Sequence, residues 1–336
     1  NGLHVGVGIN VPFGLATDYD DGWYGRYHGL KSEITTININ PAIAWKMTET
    51  VSFGIGLSYQ YIDVELTQNI DSSAACVNLS GSPCGSFSDP AIDSSLKLEG
   101  DDMSFGWNMG VLFDISDKDR VGIAYRSAIK HDIGGNATYN LYDPLQTIVD
   151  GANSSPPLAP NFNILTSTAL SATAQLPETF SLSYVRDINT NWSFLADYTW
   201  TGWNDLDSIE VVLAGNAPGQ DPALELAFRN TNRLAIGAHY KPGNNWIFRG
   251  GLAYDETPVR SDTQRTVRIP HKDRTWLSLG FGYEASQSWS FDVGYSHLFV
   301  SDAGINSNLP TSSGATLIGT YEASVDILSA GVNFNF

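Results

Sequence analysis

The feature that most constrains this chain is a strict alternation of apolar and small polar residues. From Val51 to Tyr61, every odd position is apolar or aromatic and every even position is serine, glycine or glutamine. Successive side chains of a β-strand point to opposite faces, so the segment predicts a strand with one wholly apolar face. The same pattern recurs down the chain to a last segment that ends on Phe336. A soluble sandwich could show it once, but repeated use predicts an all-β protein.

The connections between these segments fall into two alternating classes. Short polar turns occur at 46–50, 114–119, 187–191, 241–245 and 284–288, and long loops are expected at about 67–102, 132–175 and 201–229. Transmembrane β-barrels alternate tight periplasmic turns with long extracellular loops in this way. Four tryptophans beside the short turns fit an aromatic girdle at the periplasmic interface: Trp45, Trp192, Trp246 and Trp289. We therefore predict that residues 1–336 form a single transmembrane antiparallel β-barrel domain of about 12 strands in a bacterial outer membrane.

Composition agrees with strands in a membrane better than with a soluble enzyme. Only 16% of residues are charged, against roughly 25% in a soluble domain. No window approaches the ~18 consecutive apolar residues of a membrane-spanning helix. An open sheet edge is costly in hydrocarbon, so the barrel is expected to be closed. The net charge of -18 argues against nucleic acid as a partner.

Catalytic, metal and cofactor sites are not expected. The six histidines show no metal-ligand spacing. Ser296 and His297 are adjacent on a predicted strand, so their side chains point to opposite faces and cannot share a proton. We therefore predict that the protein is not an enzyme.

The only two cysteines, Cys76 and Cys84, lie in one loop rich in serine, glycine and proline. A disulfide between them is expected if that loop faces an oxidising compartment. Two free surface thiols are the alternative.

Several stretches in this order resemble one known family, the long-chain fatty acid transporters of the outer membrane. They are Phe13-Gly14-Leu15-Ala16-Thr17, Phe105-Gly106-Trp107-Asn108, Tyr125-Arg126-Ser127, and the run from Pro258-Val259 through Ile269-Pro270 to Asp273-Arg274 and Trp276. The resemblance implies a 14-strand barrel with an N-terminal hatch, of which this chain would begin at the third strand. It also implies passive uptake of long-chain fatty acids or hydrocarbons, by loop capture and lateral release through a kinked strand.

The segment that matches the kinked strand is Asn10 to Gly14. Pro12 lacks a backbone donor and Gly14 permits a bend, so strand pairing is expected to break here. Pro12, Phe13 and Gly14 are accordingly the predicted lateral gate. The alternative is that Pro12 merely ends a strand at a loop.

The predicted ligand-binding residues come from two groups. A carboxylate head group favours Arg or Lys, and the alternation places Arg126, Lys130 and Arg249 on the lumen face. Pairing with inward aspartates is their alternative role. Where the family has a head-group arginine, this chain has Gln68, which weakens the case for a fatty acid over a neutral hydrocarbon. Loop residues that could capture an apolar ligand, or simply pack together, include Leu145, Phe162 and Leu165.

The leading prediction is therefore an outer-membrane transporter for a long-chain fatty acid or another hydrophobic small molecule. Its other expected partners are outer-membrane lipid and lipopolysaccharide, and the barrel assembly machinery through the C-terminal strand. A general diffusion porin or a structural, adhesin-like barrel is the alternative.

Overall fold

The computed structural model describes residues 2–154, 165–214, 223–307 and 316–335. Within them lie nineteen strands and two α-helices. The strands are β1 Leu3–Asn10, β2 Gly14–Asp18, β3 Lys31–Lys46, β4 Val51–Ile70, β5 Ser94–Asp114, β6 Asp119–Arg126, β7 Ile129–Asn140, β8 Thr168–Leu176, β9 Thr179–Asp187, β10 Trp192–Thr201, β11 Ser208–Leu213, β12 Ala223–Glu225, β13 Thr231–Tyr240, β14 Trp246–Asp255, β15 Arg274–Glu284, β16 Trp289–Val300, β17 Ala303–Ser307, β18 Leu317–Tyr321 and β19 Ser324–Phe334. The helices are α1 Ser72–Ser80 and α2 Asp143–Ser154.

Seventeen of these strands form one antiparallel sheet, and β17 and β18 form a separate hairpin. The predicted all-β class is confirmed. Neither helix is long or apolar enough to cross a membrane, and the described ranges hold no other α-helix. The outward face of the sheet carries the apolar half of the alternation. On β1, for example, Val5 and Val7 are 76% and 71% exposed, as expected for side chains that meet lipid.

Several of the strands are interrupted by extra residues. Asn10 of β1 pairs with Asn38 of β3, and β2 resumes with Gly14 opposite Thr35, so four steps on one strand match three on the other. A similar one-residue bulge separates β6 from β7, which pair in turn with β5. Because strand side chains alternate, one extra residue moves every following side chain to the opposite face. Leu15 therefore points inward although it continues the odd numbering of the outward Val5 and Val7.

The strands also extend beyond the points where the alternation predicts long loops. β4 continues to Ile70 and β5 begins at Ser94, so the loop between them spans only 71–93. Here the outward face is charged, with Lys31 bridging two glutamates of β3 and β4 and Lys97 bridging two of β4 and β5. Charged side chains on the outer face remove the apolar signal while leaving the strand pairing intact.

The expected closure of the barrel is not found. Among the described residues, β1 pairs in register only with β3, and β19 pairs only with β16. The sheet is therefore open, and its two edge strands are exposed along their whole length. The sequence argument for closure rests on the cost of unpaired backbone in lipid, and that cost applies to both of these edges. The terminal residue of the predicted last strand, Phe336, lies outside the described residues.

Candidate ligand-binding site

An apolar cavity lies between the inward face of the sheet and the loops at its long-loop end. Its volume is about 120 Å³, below the ~300–1,000 Å³ range of typical small-molecule sites. Its lining comes from the strands β2, β3, β4, β5, β7, β8, β11 and β12, together with the loop residues Leu206, Leu226, Arg268 and Ile269. The lining includes Ile34, Ile62, Ile133, Leu176, Leu206 and Leu226. These walls suit a long apolar chain.

Among the described residues of this lining, Arg268 alone is basic. It lies in the loop between β14 and β15 and is only 7% exposed. Its Nη1 donates hydrogen bonds to the carbonyl oxygen of Lys31 at 3.2 Å, to Ser32 Oγ at 3.0 Å and to the carbonyl oxygen of Thr67 at 3.2 Å. Its Nη2 donates to Gln68 Oε1 at 2.9 Å. All four acceptors are neutral oxygen atoms.

The positive charge of Arg268 has no carboxylate partner among the described residues. Burial alone lowers the pKa of its guanidinium to about 10, which leaves it protonated at neutral pH. Glu99 also borders the cavity, but its carboxylate pairs with Lys97 at 2.7 Å and is half exposed. A buried guanidinium that lacks an anion can accept one from a ligand.

Arg268 was not among the predicted site residues. The sequence prediction selected cations by strand parity, and Arg268 lies in a loop. One sequence signal was available, because Val267-Arg268-Ile269 places a lone cation between two aliphatic residues in an otherwise polar loop. Gln68, which the resemblance is expected to place at a family head-group arginine, is itself a hydrogen-bond partner of Arg268.

Next to the cavity lies a lid, which we define as α1, α2 and the apolar side chains packed between them. Its core shares Leu170 and Val211 with the cavity lining. Leu145 is 0% exposed inside the lid core, and Leu165 packs against that core. The disulfide joins Cys76 of α1 to Cys84. The self-packing alternative thus describes Leu145 and Leu165, because folding the loop hides them from solvent. Phe162 lies outside the described residues.

The predicted gate is an irregular segment between β1 and β2. Val11, Pro12 and Phe13 belong to neither strand, and Gly14 begins β2. Here the side chain of buried Thr36 supplies hydrogen bonds in place of regular strand pairing. Its hydroxyl accepts from the Phe13 N–H at 3.0 Å and donates to the Phe13 carbonyl at 2.7 Å. The Phe13 side chain packs against Ile62 and its neighbours in the cavity wall. The bulge is what turns this ring inward.

The three predicted cations have different surroundings. Arg126 pairs in register with Asn108, which shares the inward face of β5. Arg249 Nη1 donates to Asp292 Oδ1 at 2.5 Å, the aspartate pairing kept as its alternative.

The predicted inward position of Lys130 is wrong. Its neighbours Ile129 and His131 are buried, whereas the Lys130 side chain is 58% exposed and pairs with Asp132 at 3.0 Å. The bulge between β6 and β7 shifts the parity after Arg126, which places Lys130 on the outer face.

A lipid-facing antiparallel sheet that holds an apolar cavity at its long-loop end defines a strand-built transport protein of the outer membrane. The chain belongs to the family described as Outer membrane protein transport protein (OMPP1/FadL/TodX), whose model matches residues 1–336. The predicted family and outer-membrane location are confirmed.

Individual relatives give the same family. The Long-chain fatty acid transport protein of Escherichia coli K12 is 28% identical over 322 residues, covering 90% of this chain and 68% of that protein. Its counterpart in Escherichia coli CFT073 is 29% identical over 302 residues, covering 87% and 65%. This chain therefore spans about two thirds of the length of these relatives.

Solved structures agree on the fold. A Pseudomonas aeruginosa FadL homologue has a TM-score of 0.88 at 26% identity, covering 99% of this chain and 75% of that one. The Ralstonia pickettii toluene transporter TbuX has a TM-score of 0.68 at 17% identity, covering 99% and 78%. At that identity, the second match supports the fold alone.

Proposed function

We propose that this protein takes up long-chain fatty acids passively across the outer membrane. The observation that carries the proposal is Arg268, a buried guanidinium without a carboxylate partner at the edge of an apolar cavity. Removing an ion from water costs several kcal/mol even after relaxation. A ligand carboxylate would offset part of that cost, and its apolar chain would contact the aliphatic lining of the cavity. The relatives named as fatty acid transport proteins support the same ligand class.

Neutral hydrocarbons are the second candidate, because the described lining, apart from Arg268 and Glu99, consists of apolar residues and glycine. A hydrocarbon would fill the cavity but leave the charge of Arg268 uncompensated. We therefore expect acids to bind more tightly than hydrocarbons of equal length. The general porin alternative is disfavoured by the packed lid and loops, which occupy the space that an open pore needs.

The polarity of the lumen supports lateral release. The next layer of inward side chains, between the cavity and the short turns, is polar. It includes the buried side chains of Asn38, Gln60 and His131. His131 is hydrogen-bonded to Asp102 and Gln60, at 2.9 and 3.1 Å. An apolar chain moving straight down would pass this polar layer, where it would gain nothing from burial. The irregular segment at Pro12, Phe13 and Gly14 offers a path into lipid at the height of the cavity.

In the proposed route, the ligand enters past the lid, binds with its carboxylate at Arg268 and leaves through the gate. Outer-membrane lipid, including lipopolysaccharide, would contact the outward apolar face. Recognition of the C-terminal strand by the assembly machinery is part of the same proposal, since β19 presents an exposed edge.

The test is the substitution Arg268→Gln, with Arg260→Gln as the matched control. Arg260 lies in the same loop, is exposed and does not line the cavity. A hydrogen bond to a charged group contributes about 1.5–3 kcal/mol, so Arg268→Gln should weaken fatty acid binding roughly 10- to 150-fold. Binding and proteoliposome uptake of a labelled long-chain acid should both fall, while Arg260→Gln behaves as wild type. Unchanged binding in Arg268→Gln, or rapid entry of small sugars into the vesicles, would contradict the proposal.

A further inference from the structure

Two apolar clusters, which share Ile209, contribute to the walls of the cavity. Phe13 belongs to one and Trp203 to the other, and neither ring lines the cavity itself. Phe13 packs on the sheet wall, with Ile62 and Leu176. Trp203 packs on the loop wall, with Leu206 and Leu226. These two rings meet edge to face, with centroids 5.9 Å apart and planes at 81°. They therefore join the two walls beside the gate segment.

Trp203 is held in place by an insertion in its own strand. Thr201 of β10 pairs with Thr179, and Val211 of β11 pairs with Ala172, so ten steps on one strand match seven on the other. The three extra residues are accommodated by a short 3₁₀ turn over Trp203–Asp205. Gly202 N–H donates to the Glu178 carbonyl at 3.0 Å, which ties the start of this turn to the neighbouring strand.

A second aromatic contact also holds the Trp203 ring. Phe228, which is buried, meets it edge to face with centroids 5.9 Å apart and planes at 90°. Ile269, adjacent to Arg268, packs against the same cluster. Trp203 thus contacts both a buried apolar cluster and the gate residue Phe13.

Phe13, by contrast, belongs to an irregular segment, and the described hydrogen bonds of its backbone all come from Thr36 of β3. It lies in neither β1 nor β2, and β3 is the only strand in register with both. Its backbone is held by Thr36, and its side chain by the cavity wall and Trp203. Removing the Trp203 ring would leave Phe13 with contacts on the sheet side only.

We propose that Trp203 is a positioning residue of the lateral gate, a latch whose ring holds Phe13 in the closed position. The inference rests on the proposed function for its role in release, but the contact itself can be tested without a ligand. Moving Phe13 away from Trp203 separates the two walls at this point and opens the cavity toward the bulge. The strand insertion after β10 would then control when a bound ligand leaves.

The test compares Trp203→Ala, Trp203→Phe and the control Trp192→Ala. Trp192 lies at the other end of β10 on the outward face, away from the cavity. Hydrogen–deuterium exchange of the peptide that contains Phe13 measures opening of the gate segment. The interaction free energy of one aromatic pair corresponds to a roughly 2- to 13-fold change in an opening equilibrium. We expect Trp203→Ala to accelerate exchange at Phe13 by that factor, whereas Trp203→Phe gives a smaller effect and Trp192→Ala none.

The second readout is release of a bound fluorescent fatty acid into lipid vesicles. Trp203→Ala should raise the release rate, while the sensitivity of binding to Arg268→Gln is retained. Exchange at Phe13 that is unchanged in Trp203→Ala would overturn the latch, whatever the ligand result. If wild-type protein binds no fatty acid, the proposed function fails, and the exchange data still decide whether Trp203 restrains Phe13. An equal rise in exchange along all strands would indicate unfolding and would also overturn the proposal.

Discussion

The sharpest test of the gate geometry is the substitution Thr36→Val, which keeps the shape of the side chain and removes its hydroxyl. That hydroxyl accepts from the Phe13 N–H at 3.0 Å and donates to the Phe13 carbonyl at 2.7 Å, in a fully buried position. In the variant the Phe13 N–H loses this acceptor, at a cost of about 1–3 kcal/mol. The carbonyl keeps the Thr36 N–H at 3.3 Å. Local opening should therefore become roughly 5- to 150-fold more frequent.

The assay is hydrogen–deuterium exchange of the peptide spanning residues 11–14, with release of a bound fatty acid as the functional readout. Both should accelerate in Thr36→Val. Thr36→Ser retains the hydroxyl and should remain close to wild type. The reasoning would be refuted if Thr36→Val and wild type exchanged equally at Phe13, or if Thr36→Ser were as fast as Thr36→Val.

Three further predictions follow from the same structure. Lys130→Gln should leave fatty acid affinity within about twofold of wild type in a binding titration, because its charge faces outward and pairs with Asp132; a tenfold loss would place it in the site. Replacing Cys76 and Cys84 by serine removes a constraint of about 2.5 kcal/mol from the unfolded lid loop, so limited proteolysis should cut residues 71–93 faster than in the oxidised protein. Burial lowers the pKa of His271 to about 4, so the folded loop favours the neutral imidazole. The stability that this residue contributes is therefore present above pH ~6.5 and lost as pH falls toward 4. Thermal melting from pH 7 to 4 should show this loss of stability, and His271→Gln should make the melting temperature less dependent on pH.

Much of the fold could be predicted because one physical rule, the alternation of strand side chains, operates along the whole chain. It identified the short turns and the lipid-facing residues of strands such as β4 and β16. The rule fails wherever a single residue is inserted. The prediction put Lys130 on the wrong face because no residue type in Ser127-Ala128 indicates a bulge. Pro12, by contrast, indicates the bulge between β1 and β2, because it lacks a backbone hydrogen-bond donor.

The candidate site was harder to predict because it depends on contacts between distant loops. Arg268 contacts Thr67 and Gln68 across 201 and 200 positions of sequence, and no local pattern encodes these contacts. Leu145 looked like an exposed capture residue because its loop is polar, yet α2 folds it into the lid core. Trp203 carried no signal either, since its inward position follows from the three-residue insertion after β10.

The central claim is that the cavity recognises a carboxylate through Arg268. The most direct measurement is the affinity of the wild-type protein for a long-chain fatty acid and for its methyl ester, which matches it in chain length and lacks the negative charge. We predict that the acid binds roughly 10- to 150-fold more tightly, and that Arg268→Gln removes most of this difference. Equal affinities for acid and ester in the wild-type protein would contradict the claim and favour a neutral hydrocarbon as the ligand.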